Sequence, residues 1–361
     1  MFIAITTLLI FALLALVLLS KKEIKIKEQE GLAVLSILIA ARNEEKNIAR
    51  CLEAILKQTY PKEKLEILVG DDDSEDNTAT IIKAYTQQHP FISYHLIKEQ
   101  KGVAKGKANV LAHLASKAKG EYFLITDADI EVAPDWSKNM FSIARTNACE
   151  LVTGVTTIKS KGWFSNFQKI DWLYSLALIK SVTDLGLALT TMGNNMLISK
   201  AAYRATGGYE KIPFSVTEDF ALFRAVIKNK GRHYHHFSKE TLAYSQPIAS
   251  LSHLFKQRKR WMKGAFQIPW YMLLLLLLQA FYYPSLCVTL CFKPSLIVLC
   301  LAFVKLLSQF IFIYYYAHRI GQKLKVGTVI CYEAYSALLT MSLMFYYLMP
   351  TGVRWKGRTY V

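Results

Sequence analysis

Long apolar runs stand at both ends of the chain, and a region of mixed polar and apolar positions lies between them. Residues 1–20 carry no charge. A helix of about 20 apolar residues spans the hydrocarbon core of a bilayer. The alternative, a cleaved signal peptide, normally has a basic start and a small-residue cleavage site, and this segment has neither. We therefore predict an uncleaved transmembrane anchor over residues 1–20.

Short apolar runs of strand length alternate with helical patterns in the middle of the chain. VLSILIA is followed by the helical spacing of NIARCLEAILKQTY, and LEILVG, FISYHLI and EYFLIT continue the alternation. Such alternation is typical of a mostly parallel sheet covered by helices on both faces. We predict an α/β domain over residues 31–264, with its ligands at the carboxyl ends of the strands.

Apolar helical segments return after residue 264. Two segments within 265–349 are each long enough to cross a bilayer, and a third covers 326–349. The third segment contains Glu333, and a carboxylate is costly at the bilayer centre. An interfacial or re-entrant path for this segment and an ordinary third crossing both remain open.

Basic residues set the expected orientation. Four lysines between positions 21 and 27 follow the anchor, so the positive-inside rule places the α/β domain in the cytoplasm. A third crossing in the tail would leave Arg354, Lys356 and Arg358 outside. That charge distribution favours the interfacial or re-entrant path, with residues 350–361 as a basic cytoplasmic tail.

Composition narrows the class of protein. The 361 residues are 53% hydrophobic and 12% aromatic, which excludes a disordered chain. The net charge of +17 requires an anionic partner. A basic-aromatic nucleic-acid signature is missing, so we expect an anionic membrane surface and no nucleic acid. The six cysteines are too few for a disulfide scaffold, and we interpret them as small buried apolar residues.

Acidic clusters follow two of the predicted strands. Asp71, Asp72 and Asp73 come directly after LEILVG, and Asp127 and Asp129 come at the end of the strand EYFLIT. A helix N-cap explains one such carboxylate but not three in a row. Two carboxylates one residue apart at a strand end have the oxygen chemistry that Mg²⁺ or Mn²⁺ accepts beside a phosphate.

Two further clusters lie later in the chain. Thr217-Glu218-Asp219 precedes an amphipathic helical run and is also consistent with helix capping. The segment 257–261, QRKRW, precedes the apolar tail, and a lipid-binding basic patch is its simpler explanation. Arginine forks, however, also suit a diphosphate.

Taken together, these clusters make the chain resemble the membrane enzymes of glycosyltransferase family 2, which have a GT-A fold and use nucleotide-activated sugars. The resemblance rests on ILIAARNEE, VGDDDSEDNT, TDAD, GNNMLISKAAYRATGGY, TED and QRKRW, the last matching Q-x-x-R-W. It covers about residues 34–261 and the flanking helices. Two departures are Ala40 in place of proline and Asp73 in place of the glycine of D-D-G. The second makes the geometry of that loop uncertain.

The resemblance implies a role for each motif residue. The nucleotide and donor would be bound by Ala41, Glu44, Asp71, Asp72, Lys107 and Asp127. A divalent cation, Mg²⁺ or Mn²⁺, would be held by Asp127 and Asp129. The catalytic base would be Asp219. The diphosphate and acceptor would be bound by Gln257, Arg258, Arg260, Trp261, Gly193, Asn194 and Asn195.

The expected activity is transfer of a sugar, with inversion, from a nucleotide-sugar donor, expected to be UDP-linked, to a lipid or lipid-linked acceptor. The C-terminal VRWKGRTY resembles the ends of ceramide glucosyltransferase-like and carotenoid glycosyltransferase-like members. A processive polysaccharide synthase that uses the same site is the alternative within the class, and a non-catalytic membrane sugar-nucleotide sensor or scaffold is the alternative outside it. We expect a multi-pass protein of the cytoplasmic membrane. Its oligomeric state, donor sugar and acceptor stay open.

Overall fold

The computed structural model describes residues 1–27, 31–265, 269–349, 353–355 and 358–360. These residues form two compact units. One unit contains residues 23–157 and 190–246, and we call it the sheet unit. The other contains residues 1–22, 158–189 and 247–361, and we call it the helical unit. Half of the predicted tail 350–361 lies outside the described residues.

The helices and strands are numbered in chain order. The helices are α1 (Phe2–Leu19), α2 (Ile48–Leu56), α3 (Thr78–Gln88), α4 (Lys107–Lys117), α5 (Trp136–Thr146), α6 (Trp163–Asp184), α7 (Lys200–Ala205), α8 (Glu218–Lys228), α9 (Leu251–Ala265), α10 (Trp270–Phe292), α11 (Leu296–Arg319) and α12 (Val326–Leu348). The strands are β1 (Leu35–Ala41), β2 (Leu65–Asp71), β3 (Ile92–Leu96), β4 (Tyr122–Asp127), β5 (Glu131–Val132), β6 (Leu151–Thr153), β7 (Val155–Ile158), β8 (Asn195–Ser199), β9 (His233–His235), β10 (Leu242–Ser245), β11 (Val353–Trp355) and β12 (Arg358–Tyr360).

The sheet unit is built on a seven-stranded sheet with the order β3-β2-β1-β4-β8-β6-β9. The strands β3, β2, β1 and β4 are parallel, whereas β8 runs antiparallel to β4 and to β6. The apolar runs that predicted strands are buried along β1 and β2, as expected for strands covered on both faces. The predicted α/β class with a mostly parallel sheet is confirmed.

Helix packing completes the core of the sheet unit. Ile48, Leu52 and Ile55 on one stripe of α2 are fully buried against the sheet. Trp136 and Phe141 of α5 belong to the same core. The three positions of α2 recur every three to four residues, which is the spacing of one helix face. The amphipathic patterns in the sequence therefore mark the faces that the structure buries.

The helical unit contains α1, α10, α11 and α12, each long and apolar enough to cross a membrane. Two more helices, α6 and α9, belong to this compact unit although the predicted domain 31–264 includes them. The units are groups of residues in mutual contact and do not test the limits of a domain. The predicted limits 31 and 264 therefore stay a prediction. The chain is a membrane protein by the length and composition of these helices.

Glu333, which raised the question of a re-entrant segment, has buried partners in the helical unit. Its Oε1 lies 2.5 Å from Nζ of Lys305, and its Oε2 accepts a hydrogen bond of 2.7 Å from Gln309. Lys305 is fully buried. Because the charge is paired between α11 and α12, the carboxylate is no longer an argument against a crossing. The path of 326–349 stays open.

The prediction that all six cysteines are buried is wrong for four of them. Cys51 and Cys149 are buried, but Cys287, Cys291, Cys300 and Cys331 are exposed on the apolar helices. Their apolar surroundings in the sequence reflect helices whose outer faces are themselves apolar.

Candidate active site

The carboxyl ends of three neighbouring strands bring the predicted donor-binding residues together. Ala40 of β1 is in register with Asp127 of β4, and Ala41 is in register with Asp71 of β2. The three strands thus end at the same level of the sheet. This is the edge at which parallel α/β sheets bind their ligands.

The loop after β2 holds its acidic residues in different environments. Asp71 is buried, and it accepts hydrogen bonds from Ser74 and from the Tyr94 hydroxyl, at 2.9 Å for the latter. Asp72 is also buried, and its N–H donates to Ala41. The Asp71 side chain thus fixes the start of the loop after β2 through its hydrogen bonds, and the backbone of Asp72 is bonded to the end of β1.

Asp73 occupies the position at which the D-D-G motif has glycine. Its φ of 59° lies in the left-handed region that a glycine would favour. Aspartate is among the few residues other than glycine that adopt this conformation at moderate cost. Its side chain is exposed and lies 3.8 Å from Lys98. The third position of this loop thus has a backbone conformation that suits glycine, with aspartate in place of it.

The loop after β1 is tied to the loop after β2 by hydrogen bonds. The side chain of Asn43 accepts a hydrogen bond from the backbone N–H of Glu75 at 2.9 Å, and the backbone N–H of Asn43 donates to the Ser74 hydroxyl. The N–H of Glu44 donates to Thr78 at 2.7 Å, and the Glu44 carboxylate accepts from Asn47. These bonds fix the two loops against each other at the edge of the sheet.

Lys107, at the first position of α4, links two carboxylates. Its Nζ lies 2.5 Å from Asp127 Oδ1 and 2.8 Å from Glu218 Oε1. Burial by itself would lower the pKa of Lys107, but the attraction of Asp127, Glu218 and Asp219 outweighs it and raises the pKa above its ordinary value. Lys107 is therefore charged and acts as a fixed cation among the acidic residues.

Asp219 lies in the first turn of α8, and each of its carboxylate oxygens accepts a hydrogen bond from a backbone N–H. Oδ2 accepts from the N–H of Gly193 at 2.8 Å, and Oδ1 accepts from the N–H of Phe220 at 2.8 Å. Burial raises the pKa of Asp219 to about 6, and the neighbouring Glu218 adds to the rise, whereas Lys107 and the two N–H donors oppose it. A carboxylate with a pKa near neutrality has the properties of a general base.

Gly193 is the residue that lets Asp219 take this position. A Cβ added at Gly193 would lie 2.7 Å from Cβ of Asp219. Two residues on, Asn195 is fully buried, with its side chain bonded to Trp136, Val155 and Thr241. The side chain of Asn194 accepts from Thr156. Gly193 thus positions the candidate base, and Asn195 holds the core of the sheet unit.

Asp127 and Asp129 are the residues predicted to hold a divalent cation. Among the described residues, no group of three or more His, Cys, Asp or Glu side chains is arranged to hold a metal ion. Mg²⁺ is commonly held by one or two carboxylates together with substrate phosphates. The residues present therefore fit a cation that arrives with a diphosphate, and they do not form an all-protein cage.

The QRKRW segment lies on α9 in the helical unit. Arg258 forms an ion pair with Asp171 of α6, and its guanidinium lies 4.5 Å from the ring centroid of Trp261. Trp261 also packs edge-on against Trp172 at 5.6 Å. Arg258 thus already has a protein carboxylate as its partner. The predicted diphosphate and acceptor roles of Gln257, Arg258, Arg260 and Trp261 stay predictions.

Sequence reasoning missed two residues with clear structural partners. Glu218 shares the ammonium of Lys107 with Asp127, and Asp171 is the partner of Arg258. Glu218 stands within the TED cluster that the sequence singled out, but its partner Lys107 lies far away in the sequence, and no local pattern identifies that pairing. Asp171 lies within an amphipathic helix and carries no such signal.

The sheet and the carboxylate cluster define the class of protein. A mostly parallel sheet with acidic loops after β2 and β4 is the arrangement of a GT-A glycosyltransferase. The chain belongs to glycosyl transferase family 21, whose model matches residues 2–361. The family is thus 21, where the motifs had suggested family 2.

Curated relatives agree with this class. The chain is 29% identical over 250 residues to a poly-beta-1,6-N-acetyl-D-glucosamine synthase of Staphylococcus epidermidis, across 67% of this chain and 57% of that protein. It is 25% identical over 250 residues to a beta-monoglucosyldiacylglycerol synthase of Trichormus variabilis, across 67% of this chain and 51% of that protein. The matched region is therefore little more than half the length of either relative.

A solved structure has the same fold. A mannosyltransferase from Pyrobaculum calidifontis, in complex with GDP-Man and Mn²⁺, aligns with a TM-score of 0.60 at 18% identity. The alignment covers 96% of this chain and 99% of that one. At this identity the likeness establishes the fold alone.

Proposed function

We propose that this glycosyltransferase moves a sugar, with inversion, from a nucleotide-sugar donor to a hydroxyl group of a lipid or lipid-linked acceptor. The observation that carries the proposal is the environment of Asp219, a carboxylate aligned by two N–H groups with a pKa of about 6. This environment suits proton removal from a hydroxyl near neutral pH. A non-catalytic sensor would have no chemical need for it.

The donor would bind at the carboxyl ends of β1, β2 and β4. Ala41, Glu44, Asp71 and Asp72 would border the nucleoside, and Lys107 would lie beside the diphosphate. A divalent cation held by Asp127 and Asp129 would supply positive charge to the leaving diphosphate. The complex of the related fold with GDP-Man and Mn²⁺ is consistent with this assignment.

The transfer step needs one proton acceptor and one leaving group. Asp219 would take the proton of the acceptor hydroxyl as its oxygen bonds to the anomeric carbon from the side opposite the diphosphate. The bond between that carbon and the diphosphate oxygen breaks, and the nucleoside diphosphate leaves with the electron pair. Lys107 would offset the negative charge that develops on the leaving group.

Two kinds of acceptor have specific support. The similarity to a beta-monoglucosyldiacylglycerol synthase favours a lipid acceptor. The similarity to a poly-beta-1,6-N-acetyl-D-glucosamine synthase and the Q-x-x-R-W pattern favour the second candidate, a processive polysaccharide synthase. We favour the lipid because the four candidate spans found among the described residues offer little material for a channel that would carry a polymer. We place the site on the cytoplasmic face of the cytoplasmic membrane, against an anionic leaflet.

A product assay separates these acceptors. The full chain, purified into liposomes, is incubated with radiolabelled UDP- and GDP-sugars, and the product is divided between a lipid extract and an insoluble polymer. Label in the lipid extract after a single transfer supports the proposal. Label only in polymer supports the synthase, and hydrolysis without transfer to any acceptor contradicts both.

Asp219→Asn tests the base. We expect a loss of transfer of about 10²- to 10⁴-fold, because the amide cannot take the proton. Binding of the nucleotide, measured by calorimetry with and without Mg²⁺ or Mn²⁺, should persist. Asp135→Asn is the matched control, since Asp135 is exposed at the start of α5. Full activity of Asp219→Asn would rule out this base.

A further inference from the structure

The segment 190–194 reaches the candidate base through Gly193, whose N–H donates to Asp219 Oδ2 at 2.8 Å. These five residues precede β8 and belong to no helix or strand. The repeating hydrogen bonds of a helix or a sheet therefore do not fix their position. Other contacts must fix it, because a base that is displaced by about 1 Å loses about 10²-fold in rate.

Two neighbouring strands hold consecutive residues of this segment. The Nε2 atom of His235 on β9 lies 2.6 Å from the carbonyl oxygen of Thr190. The hydroxyl of Thr153 on β6 lies 2.6 Å from the hydroxyl of Thr191. His235 and Thr153 are register partners in the parallel pair of β6 and β9, so their side chains leave the sheet on the same side. The two strands thus hold the segment at adjacent points.

The hydrogen bond between His235 and Thr190 has a defined direction. A carbonyl oxygen only accepts hydrogen bonds, so Nε2 of His235 carries the proton and donates it. The His235 side chain is buried, with 7% of the residue exposed. Water therefore replaces this donor poorly, and its loss would release the segment at Thr190.

The same face of β9 also contacts the helix that carries the base. His233 lies two residues before His235, and its ring packs edge-on against Phe223 of α8, with the ring centroids 5.0 Å apart. Phe223 is buried, and it follows Asp219 by about one helical turn. The strand β9 therefore contacts both sides of the bond between Gly193 and Asp219, the segment that donates it and the helix that accepts it.

We propose that His235 is a positioning residue for the candidate base. Its bond to Thr190 holds the segment 190–194 so that the N–H of Gly193 meets Oδ2 of Asp219. His235 acts through this segment and not on the reacting atoms. The catalytic consequence rests on the proposed function of Asp219, whereas the coupling between His235 and Gly193 rests on the contacts alone.

His235→Gln and His235→Met form a matched pair of variants, because the two new side chains have similar length and only glutamine offers an N–H donor. We expect His235→Met to lower kcat by about 10- to 100-fold with an unchanged donor KM, since only the position of the base is disturbed. His235→Gln should restore most of the rate. Equal kcat values for the two variants, or a parallel loss of nucleotide binding in calorimetry, would overturn the proposal.

His95→Phe is the control for these variants. His95 lies on β3, at the opposite end of the seven-stranded sheet from β9, and its ring is bonded to the Ser93 hydroxyl. Its kcat should equal that of the wild type. A loss in His95→Phe as large as that in His235→Met would contradict a specific role of His235.

A double variant separates positioning from general damage. In Asp219→Asn the base is already lost, so the addition of His235→Met should cause no further fall in kcat. An additive loss would show that His235 acts elsewhere and would overturn the proposal. Full activity of Asp219→Asn by itself would instead overturn the base, and with it only the catalytic part of the inference.

Amide hydrogen exchange of the full chain tests the coupling without any substrate. The peptide 190–195 contains the Gly193 N–H, and it should exchange at least about fivefold faster in His235→Met than in His235→Gln. Equal exchange in the two variants would overturn the proposal whatever their activity. If His235→Met lacks a native circular dichroism spectrum, His235→Phe, which keeps an aromatic ring and has no donor, takes its place in each comparison.

Discussion

The pKa of Asp219 depends on its burial and on the charged side chains next to it. Burial and Glu218 raise its pKa to about 6, while Lys107 lowers it. Lys107 and Glu218 themselves are 2.8 Å apart. Burial, together with the charges of Glu218 and Lys107, thus sets the pH range in which the candidate base can accept a proton.

The first prediction concerns pH. Below about pH 6 the protonated form of Asp219 dominates, and it cannot accept a proton, so the transfer rate should fall as the pH drops through this value. Glu218→Gln removes a charge that raises the pKa and should move the midpoint down. Lys107→Gln removes a charge that lowers the pKa and should move it up. Initial rates at saturating donor between pH 4.5 and 8.5 give the midpoints, and identical midpoints in all three proteins would contradict the assignment.

The second prediction concerns Gly193. Gly193→Ala would bring a methyl group to 2.7 Å from Cβ of Asp219 and 3.0 Å from its Oδ2. The base must then shift, and a displacement of about 1 Å costs about 10²-fold in rate. We expect kcat to fall by this amount with little change in donor KM.

Gly162→Ala is the control for this variant, because a Cβ added there meets nothing within 4 Å. A wild-type kcat for Gly193→Ala would show that the contact between Gly193 and Asp219 does not position the base.

At the scale of elements, α9 serves more than one purpose. Arg258 pairs with Asp171 of α6, whereas Lys259, one residue on, is buried and donates to Met349 O at 2.7 Å. Tyr346 O accepts a longer bond of 3.4 Å from the same ammonium. These carbonyls belong to the end of α12, where helical carbonyls have no partner within the helix. Neighbouring basic residues of one motif thus have different structural tasks.

Lys259→Met tests the role of this cap. Loss of the hydrogen bonds to the end of α12 should lower the free energy of unfolding by about 1 kcal/mol. Denaturant unfolding of the protein in detergent measures the change. Lys256→Met, an exposed position on the same helix, should have no effect. Equal stability of both variants would leave Lys259 without a capping role.

At the scale of the whole molecule, the helical unit depends on a buried ion pair between α11 and α12. Lys305 and Glu333 are 2.5 Å apart, and the ring centroid of Tyr282 on α10 lies 4.6 Å from the same ammonium. Removing one member of such a pair leaves an uncompensated buried charge, whereas removing both does not.

Glu333→Leu should therefore destabilise the protein by about 3–5 kcal/mol, and the double variant Lys305→Met/Glu333→Leu should recover most of that loss. Thermal unfolding in detergent with a matched wild-type sample gives both values. If the double variant were less stable than Glu333→Leu, the pair would contribute attraction beyond the relief of a buried charge.

Much of the fold could be predicted because its signals are local. The alternation of apolar strands and amphipathic helices identified β1, β2, β3 and β4 and the sheet class, and long apolar runs identified the candidate spans. Antiparallel β8, which lies between β4 and β6, was not predicted. The position of β8 in the sheet depends on pairing with strands far away in the sequence, and no local sequence pattern predicts such pairing.

The candidate site shows the same division. The sequence alone determined which residues are candidates for the chemistry: the acidic residues after β2 and β4, the TED cluster and the QRKRW segment. Only the tertiary structure decided what each one touches. Gly193 meets Asp219 across 26 residues, and Arg258 meets Asp171 across 87. Such contacts depend on how separate elements pack, because a side chain's charge is a property of one residue whereas its partner is a property of the fold.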